Sequence, residues 1–245
     1  MTHQPDYRAY WEQNIDRWAD LYLDISHGHE TFDRPAWLTA LYNATLAKHE
    51  RKLMRARYQL TVDHLRRFLK QGDAFSDIGC GNGIFVVEAV KIGIGDVNAM
   101  DFSEASLAAA RRVVAQHAPL ANVRYIHADI QKPVDLPKSD LSLAMGLTPY
   151  LSNMNAFWAN VLPQTKTLIC HYIDPYHWAS RIRTAIPILN VRELRTYDRA
   201  TVDAGYARHN FTTVQRTNFA TGFVDVAMHD DLLHDWPGQG GILSL

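Results

Sequence analysis

An aspartate followed by three alternating glycines is the part of this chain best suited to chemistry. It lies in the run Phe75-Ser76-Asp77-Ile78-Gly79-Cys80-Gly81-Asn82-Gly83-Ile84-Phe85. Glycines at such spacing let the backbone turn tightly and approach a ligand, because no Cβ stands in the way. The apolar-periodic segment Ile84–Ile92 that follows reads as a helix, and its first unpaired N–H groups point back at the loop. A loop built for a diphosphate would not place a carboxylate ahead of its first glycine, since like charges repel. Asp77 instead suits a ligand with positive charge beside the turn, such as an amino group.

The spacing supports this choice. A dinucleotide fingerprint, G-x-G-x-x-G, needs its third glycine three places after the second. Counted from Gly81 that place is Ile84, and the third glycine arrives one residue early, at Gly83. On these residues the chain resembles the class I S-adenosylmethionine-dependent methyltransferases, whose first motif is an acid followed by G-x-G-x-G. The resemblance covers residues 60 to 170 well and is topological beyond them. It implies that Asp77, Ile78, Gly79, Cys80, Gly81 and Gly83 cradle the methionine part of S-adenosylmethionine.

Further stations follow in the order that superfamily uses. Val97 to Ser103 resembles the second strand, ending in Asp101 for the ribose hydroxyls, with Phe102 beside it. A carboxylate suits that role because it accepts from two neighbouring hydroxyls at once. Val123 to Ile130 resembles the third strand and its exit, where Asp129 would accept from the adenine amino group and Ile130 would lie against the ring. Asp140 to Leu147 resembles the fourth strand, which brings Met145 to the reacting end. Asp101 also has a purely structural reading, beside a Ser103 that could cap a helix starting at Glu104. An acid after the second strand fits a nicotinamide-dependent oxidoreductase equally well. Asp77, the glycine spacing and Asp129 separate the two.

Methyl transfer from a sulfonium needs alignment first, and a base only where the nucleophile arrives protonated. Candidates belong at the ends of strands four and five, where open α/β sheets place ligands. Tyr150, His171 and His177 qualify by position as catalytic residues, with core packing for His171 and a surface site for His177 as the plainer alternatives. Tyr150, Tyr7 and Trp11 are the candidates for contact with the acceptor.

These residues need elements to carry them. Residues 1–71 read as a helical extension that packs on the core as a lid, and residues 72–245 as the cofactor-binding domain. Tyr7, Tyr10, Trp11, Asn14, Trp18, Leu21 and Tyr22 share a helix face; for Trp18 and Leu21 ordinary docking is the simpler role. Ser26 to Glu30 breaks that helix and Asp33-Arg34-Pro35 restarts one. A periodic segment from Trp37 to Lys70 predicts two helices with a bend at 48–51 and a C-terminal stop at Gly72. From Phe75 onward apolar strands alternate with helices (84–92, 104–117 and 153–162), which predicts a Rossmann-like, seven-stranded, mostly parallel α/β sheet. Strand five is Thr167–Ile173. A helical insertion follows over about 174–210, and an antiparallel C-terminal hairpin pairs 212–219 with 222–229.

Bulk properties suit an ordinary globular enzyme. The 245 residues are 47% apolar and 21% charged, with a net charge of -1. That charge gives no reason to expect nucleic acid as a partner. No apolar run approaches a membrane span and no leader pattern opens the chain. Two cysteines make no disulfide framework and point to a reducing, cytoplasmic setting. His27, His29 and Glu30 read as a solvated turn, so no metal is expected. Lys48, Arg51, Lys52, Arg55 and Arg57 read as the wet side of a helix, with contact to an acidic substrate, such as a phosphorylated or carboxylated metabolite, as the alternative. The expected function is methyl transfer to an oxygen or nitrogen of a small molecule, with a homodimer among the possible assemblies. An oxidoreductase and a non-catalytic S-adenosylmethionine-binding protein are the alternatives.

Overall fold

The computed structural model describes residues 7–21, 35–186 and 194–235. Seven strands form one sheet: β1 (Ala74–Ile78), β2 (Asp96–Asp101), β3 (Val123–His127), β4 (Ser139–Ala144), β5 (Thr165–Ile173), β6 (Phe211–Phe219) and β7 (Gly222–His229). Their order is β3-β2-β1-β4-β5-β7-β6. The first five pair in parallel, and β7 is antiparallel to both β5 and β6. The predicted hairpin is therefore present, with its second strand inserted beside β5.

Among the described residues eight helices accompany the sheet: α1 (Tyr7–Leu21), α2 (Ala36–Ala44), α3 (Leu46–Phe68), α4 (Ile84–Ile92), α5 (Glu104–His117), α6 (Met154–Val161), α7 (Trp178–Ala185) and α8 (Arg199–Ala207). Side chains alternate across each strand, so the sheet builds two cores. Phe75, Val97, Leu141, Leu143 and Ile169 meet Leu65 of α3, Phe85 of α4 and Leu107 of α5. Ile78, Ala144, Leu168, Cys170 and Tyr172 meet Phe157 and Trp158 of α6 and Tyr206 of α8. By the same alternation Asp77 lies on the side of Phe75 and His171 on the side of Ile169, both toward α3–α5. The order reverses between β1 and β4. That switch point opens a crevice at the C-terminal strand ends, directly after which the glycine loop lies.

Several boundaries differ from the sequence reading. The break between α2 and α3 falls at Thr45, not at 48–51, where the backbone departs from the regular helix at φ -115° and ψ -74°. Helix α3 stops at Leu69, whose extended backbone ends it. Gly72, at φ +94°, instead serves the turn that Asp73 N–H closes onto the Lys70 carbonyl. Strand β3 ends at His127, and Asp129 and Ile130 lie in its exit as expected, where Asp129 Oδ1 accepts from Gln131 N–H at 3.1 Å. The 174–210 segment contains α7 and α8. Tyr22, the break at 26–30 with His27, His29 and Glu30, and the restart at Asp33–Arg34 lie outside the described residues, as do the side chains of Trp18, Leu21, Lys48 and Arg51. Among the described residues no helix is long and apolar enough to cross a membrane.

Candidate functional site

The glycine loop has the left-handed backbone that its sequence requires: φ is +74° at Gly79, +53° at Gly81 and +74° at Gly83. Gly79 and Cys80 N–H both donate to the Met100 carbonyl, at 2.8 and 2.9 Å, which ties the loop to β2. Gly83 shows most directly why glycine stands here. A Cβ at this position would lie 2.9 Å from the Cβ of Ala110 on α5, closer than real contacts allow. Gly83→Ala therefore strains the backbone and separates α4 from α5. We expect a loss of about 1–3 kcal/mol in chemical denaturation, together with weaker cofactor binding.

Asp77 is 1% exposed, and its Oδ2 has no hydrogen-bond partner among the described residues. Burial, reinforced by the neighbouring Asp101 carboxylate, pushes its pKa up to about 8. A carboxylate held this way lacks a counter-charge, and an ammonium group on a ligand would supply one. Asp101 is also buried. Its Oδ2 accepts from Gly81 N–H at 3.0 Å and its Oδ1 from Ser103 N–H at 2.9 Å. Burial raises its pKa, and these backbone donors oppose that rise. Each oxygen keeps a second lone pair, so the carboxylate remains able to accept from ribose hydroxyls. The capping reading holds as well, because Ser103 Oγ accepts from Ser106 N–H at the start of α5.

On the other side of the crevice Asp129 is half-buried, with Lys132 Nζ 3.6 Å from its Oδ2. Ile130 and Met145 are buried and Phe102 is half-buried. An orphaned acidic oxygen, a glycine cradle and an acid at or near the C-terminal end of each of the first three strands fit S-adenosylmethionine. When bound, the cofactor supplies an activated methyl group.

The acceptor candidates are brought together. The Tyr150 ring meets Tyr7 and Trp11 edge-on, with centroids 5.3 Å apart in each pair. Tyr150 ends a short 3-10 turn, Thr148–Tyr150, just beyond β4. Thr148 Oγ1 donates to the His171 carbonyl at 2.5 Å, which anchors this loop to β5. His171 is 7% exposed. Burial and the nearby Arg57 guanidinium push its pKa down to about 3, so the ring is neutral through the working range. His177 is placed differently: its Nδ1 accepts from Ala179 N–H at 3.2 Å and caps α7. The lone pair that a base would use there is already engaged.

Residues that sequence reading missed complete the picture. Ile15 of α1 is buried, with its Cδ1 3.6 Å from where a Cβ on Gly81 would stand. The signal was available, since Ile15 continues the Tyr7–Trp11 spacing by another four residues. Arg57 was visible only as one of five clustered basic residues, and Thr148 gave no such signal. A separate cavity of about 310 Å³ between α6 and the segment before α8 is lined by Trp158, Arg195, Tyr197 and Thr201, among others. None of the candidate residues above lines it.

Residues 75–166 match the family model described as a methyltransferase domain. That segment is similar to methyltransferase domains, and the solved methyltransferase structures named below share the fold. Among curated proteins it is similar to a ribosomal protein L11 methyltransferase of Thermotoga neapolitana, 34% identical over 77 residues, covering 31% of this chain and 28% of that protein. The chain thus spans less than a third of the length of the curated relatives it matches. Among solved structures, magnesium protoporphyrin IX methyltransferase from Synechocystis with bound SAH superposes with a TM-score of 0.68 at 18% identity, covering 91% of this chain and 97% of that one. A ribosomal protein L11 methylase from Lactobacillus delbrueckii gives 0.54 at 17% identity, covering 71% and 79%. Such low identities speak for the fold.

Proposed function

We propose that this protein transfers the methyl group of S-adenosylmethionine to an oxygen or nitrogen of a small-molecule acceptor. The observation that carries the small-molecule part is the aromatic trio. Tyr7 and Trp11 from α1 close on Tyr150 at the end of β4, and such rings give a compact apolar wall with polar tips. Residues 1–71 act in this reading as a lid on a core formed by 72–245. The Synechocystis structure, whose name gives a porphyrin substrate, is similar over 97% of its length. The Thermotoga likeness spans 77 residues, too short a stretch to bring a protein-docking surface with it.

In this reading Asp77 faces the cofactor's ammonium, while Ile78 and the backbone of Gly79, Cys80, Gly81 and Gly83 line its amino-acid end. Asp101 holds the ribose, Asp129 the adenine amino group, and Phe102 and Ile130 flank the ring. Met145 packs beside the sulfur. Tyr150 lines the path of the methyl group and positions the nucleophile. His171 stays neutral and acts on the acceptor by hydrogen bonding, because burial, and after it Arg57, disfavours an imidazolium. His177 takes no part beyond α7. Two buried free thiols suit a reducing, cytoplasmic setting.

The test uses S-adenosylmethionine with a labelled methyl group, incubated with the protein and a cell extract that is then separated by size. Label in the small-molecule fraction is the expected result, and label confined to protein would overturn the acceptor class. Asp101→Ala should weaken cofactor binding by about 1–3 kcal/mol in calorimetry, the range for a lost hydrogen bond to a charged group.

A further inference from the structure

One member of the basic cluster on α3 does not behave as a wet-face residue. Lys52 and Arg55 are exposed, whereas Arg57 is half-buried and turned toward the sheet. Its guanidinium reaches Gly146, just past β4: a Cβ there would stand 2.6 Å from Nη1 and 3.3 Å from Cζ. Gly146 also has φ +81°. Backbone shape and close approach together explain the glycine, which makes room for a cation at the strand ends.

Beside it stands His171, which follows Cys170, the register partner of Ala144 on β4. Neither ring nitrogen of His171 has a hydrogen-bond partner among the described residues, although the side chain is more than nine-tenths buried. Leaving a buried polar group unmet is costly, and native proteins seldom retain one without a use. Burial, and after it the Arg57 charge, holds the ring neutral, so it offers one N–H donor. A guanidinium fork next to an imidazole N–H excludes cations and matches a carboxylate in both shape and charge. Phe219 presents its ring edge-on to His171 with centroids 6.0 Å apart, which adds an apolar wall.

We infer that Arg57 and His171 form a carboxylate-binding subsite, so that the methyl acceptor is a small carboxylic acid with an apolar, ring-bearing body. This rests on the methyl-transfer reading above and names its substrate class.

The experiment is a calorimetric titration of the full chain with S-adenosylhomocysteine, followed by titration of the saturated complex with benzoate and, separately, benzamide. Benzoate should bind saturably, and benzamide at least about tenfold more weakly. Arg57→Gln should lose at least about tenfold in benzoate affinity while S-adenosylhomocysteine binds as before. If that variant does not fold, Arg57→Lys decides, because it keeps the charge without the fork and should bind benzoate roughly three- to tenfold more weakly. Equal binding of benzoate and benzamide, benzoate affinity indifferent to Arg57, or no benzoate binding by a protein that takes up S-adenosylhomocysteine would each overturn the subsite alone. Failure to bind S-adenosylhomocysteine would remove the methyl-transfer reading and the subsite with it.

Discussion

Asp77→Asn is expected to stabilise the fold while weakening the cofactor complex. In the folded chain without ligand, burial and Asp101 hold the Asp77 pKa near 8 against an ordinary value of 3.8. The folded state therefore binds a proton more tightly than the unfolded chain. Its stability falls as pH rises from about 4 to about 8, by up to about 1.4 kcal/mol per pH unit, and levels off above that. Asparagine cannot ionise, so the variant should lose this slope and melt higher than wild type at pH 7. Binding should move the other way. An ammonium ligand needs the carboxylate, and below pH 8 its binding must expel the proton. Affinity for S-adenosylhomocysteine should then rise toward pH 8, with up to one proton released per ligand. In Asp77→Asn it should fall by about 1.5–3 kcal/mol and lose that pH dependence. Thermal melts over pH 5–9 and calorimetry in buffers of different ionisation enthalpy read both effects. A variant that melts lower and binds equally well would contradict the assignment.

Arg216→Met is expected to destabilise the fold by about 3–5 kcal/mol, the range for breaking one side of a buried ion pair. Arg216 and Asp225 are cross-strand partners on β6 and β7. The guanidinium donates to both carboxylate oxygens at 2.7 Å, and its Nη2 also meets Asp203 Oδ1 at 2.8 Å. Asp225 is fully buried, and even with this partner burial pushes its pKa up to about 6. Methionine would leave that charge unmatched. The melting temperature should drop by roughly 6–20 °C for a chain of this size. The double variant Arg216→Met/Asp225→Val should recover most of the loss, since replacing a whole buried pair with apolar groups is often neutral. The consequence reaches the site through β7, which pairs along the length of β5 and thereby fixes His171. A single variant that melts like wild type would show that Asp225 is protonated and carries no charge for Arg216 to match.

The parts of this molecule that were legible in sequence are those governed by local rules. The loop from Asp77 to Gly83 could be read because a backbone at positive φ requires glycine, whatever packs around it. The strand and helix alternation after Phe75 could be read because each element buries one face in a regular period. Tyr7, Trp11 and Tyr150 were separate candidates, and the structure places their rings in contact. What escaped depends on contacts distant in sequence. Arg57 looks like Lys52 and Arg55 along α3, and only the missing Cβ of Gly146 shows that it turns inward. The ends of α2 and α3 were misplaced because Thr45 and Leu69 leave regular helical backbone inside an unbroken apolar period.

The central claim is that the acid ahead of the glycine turn receives a sulfonium nucleoside through its amino group. Paired calorimetric titrations with S-adenosylhomocysteine and with its deaminated analogue, which lacks the α-amino group, test it most directly. The first should bind saturably and one-to-one, and the second at least about tenfold more weakly, the least expected for losing a charge-assisted hydrogen bond. Equal affinities would contradict it, as would a protein that ignores both compounds and binds NADH.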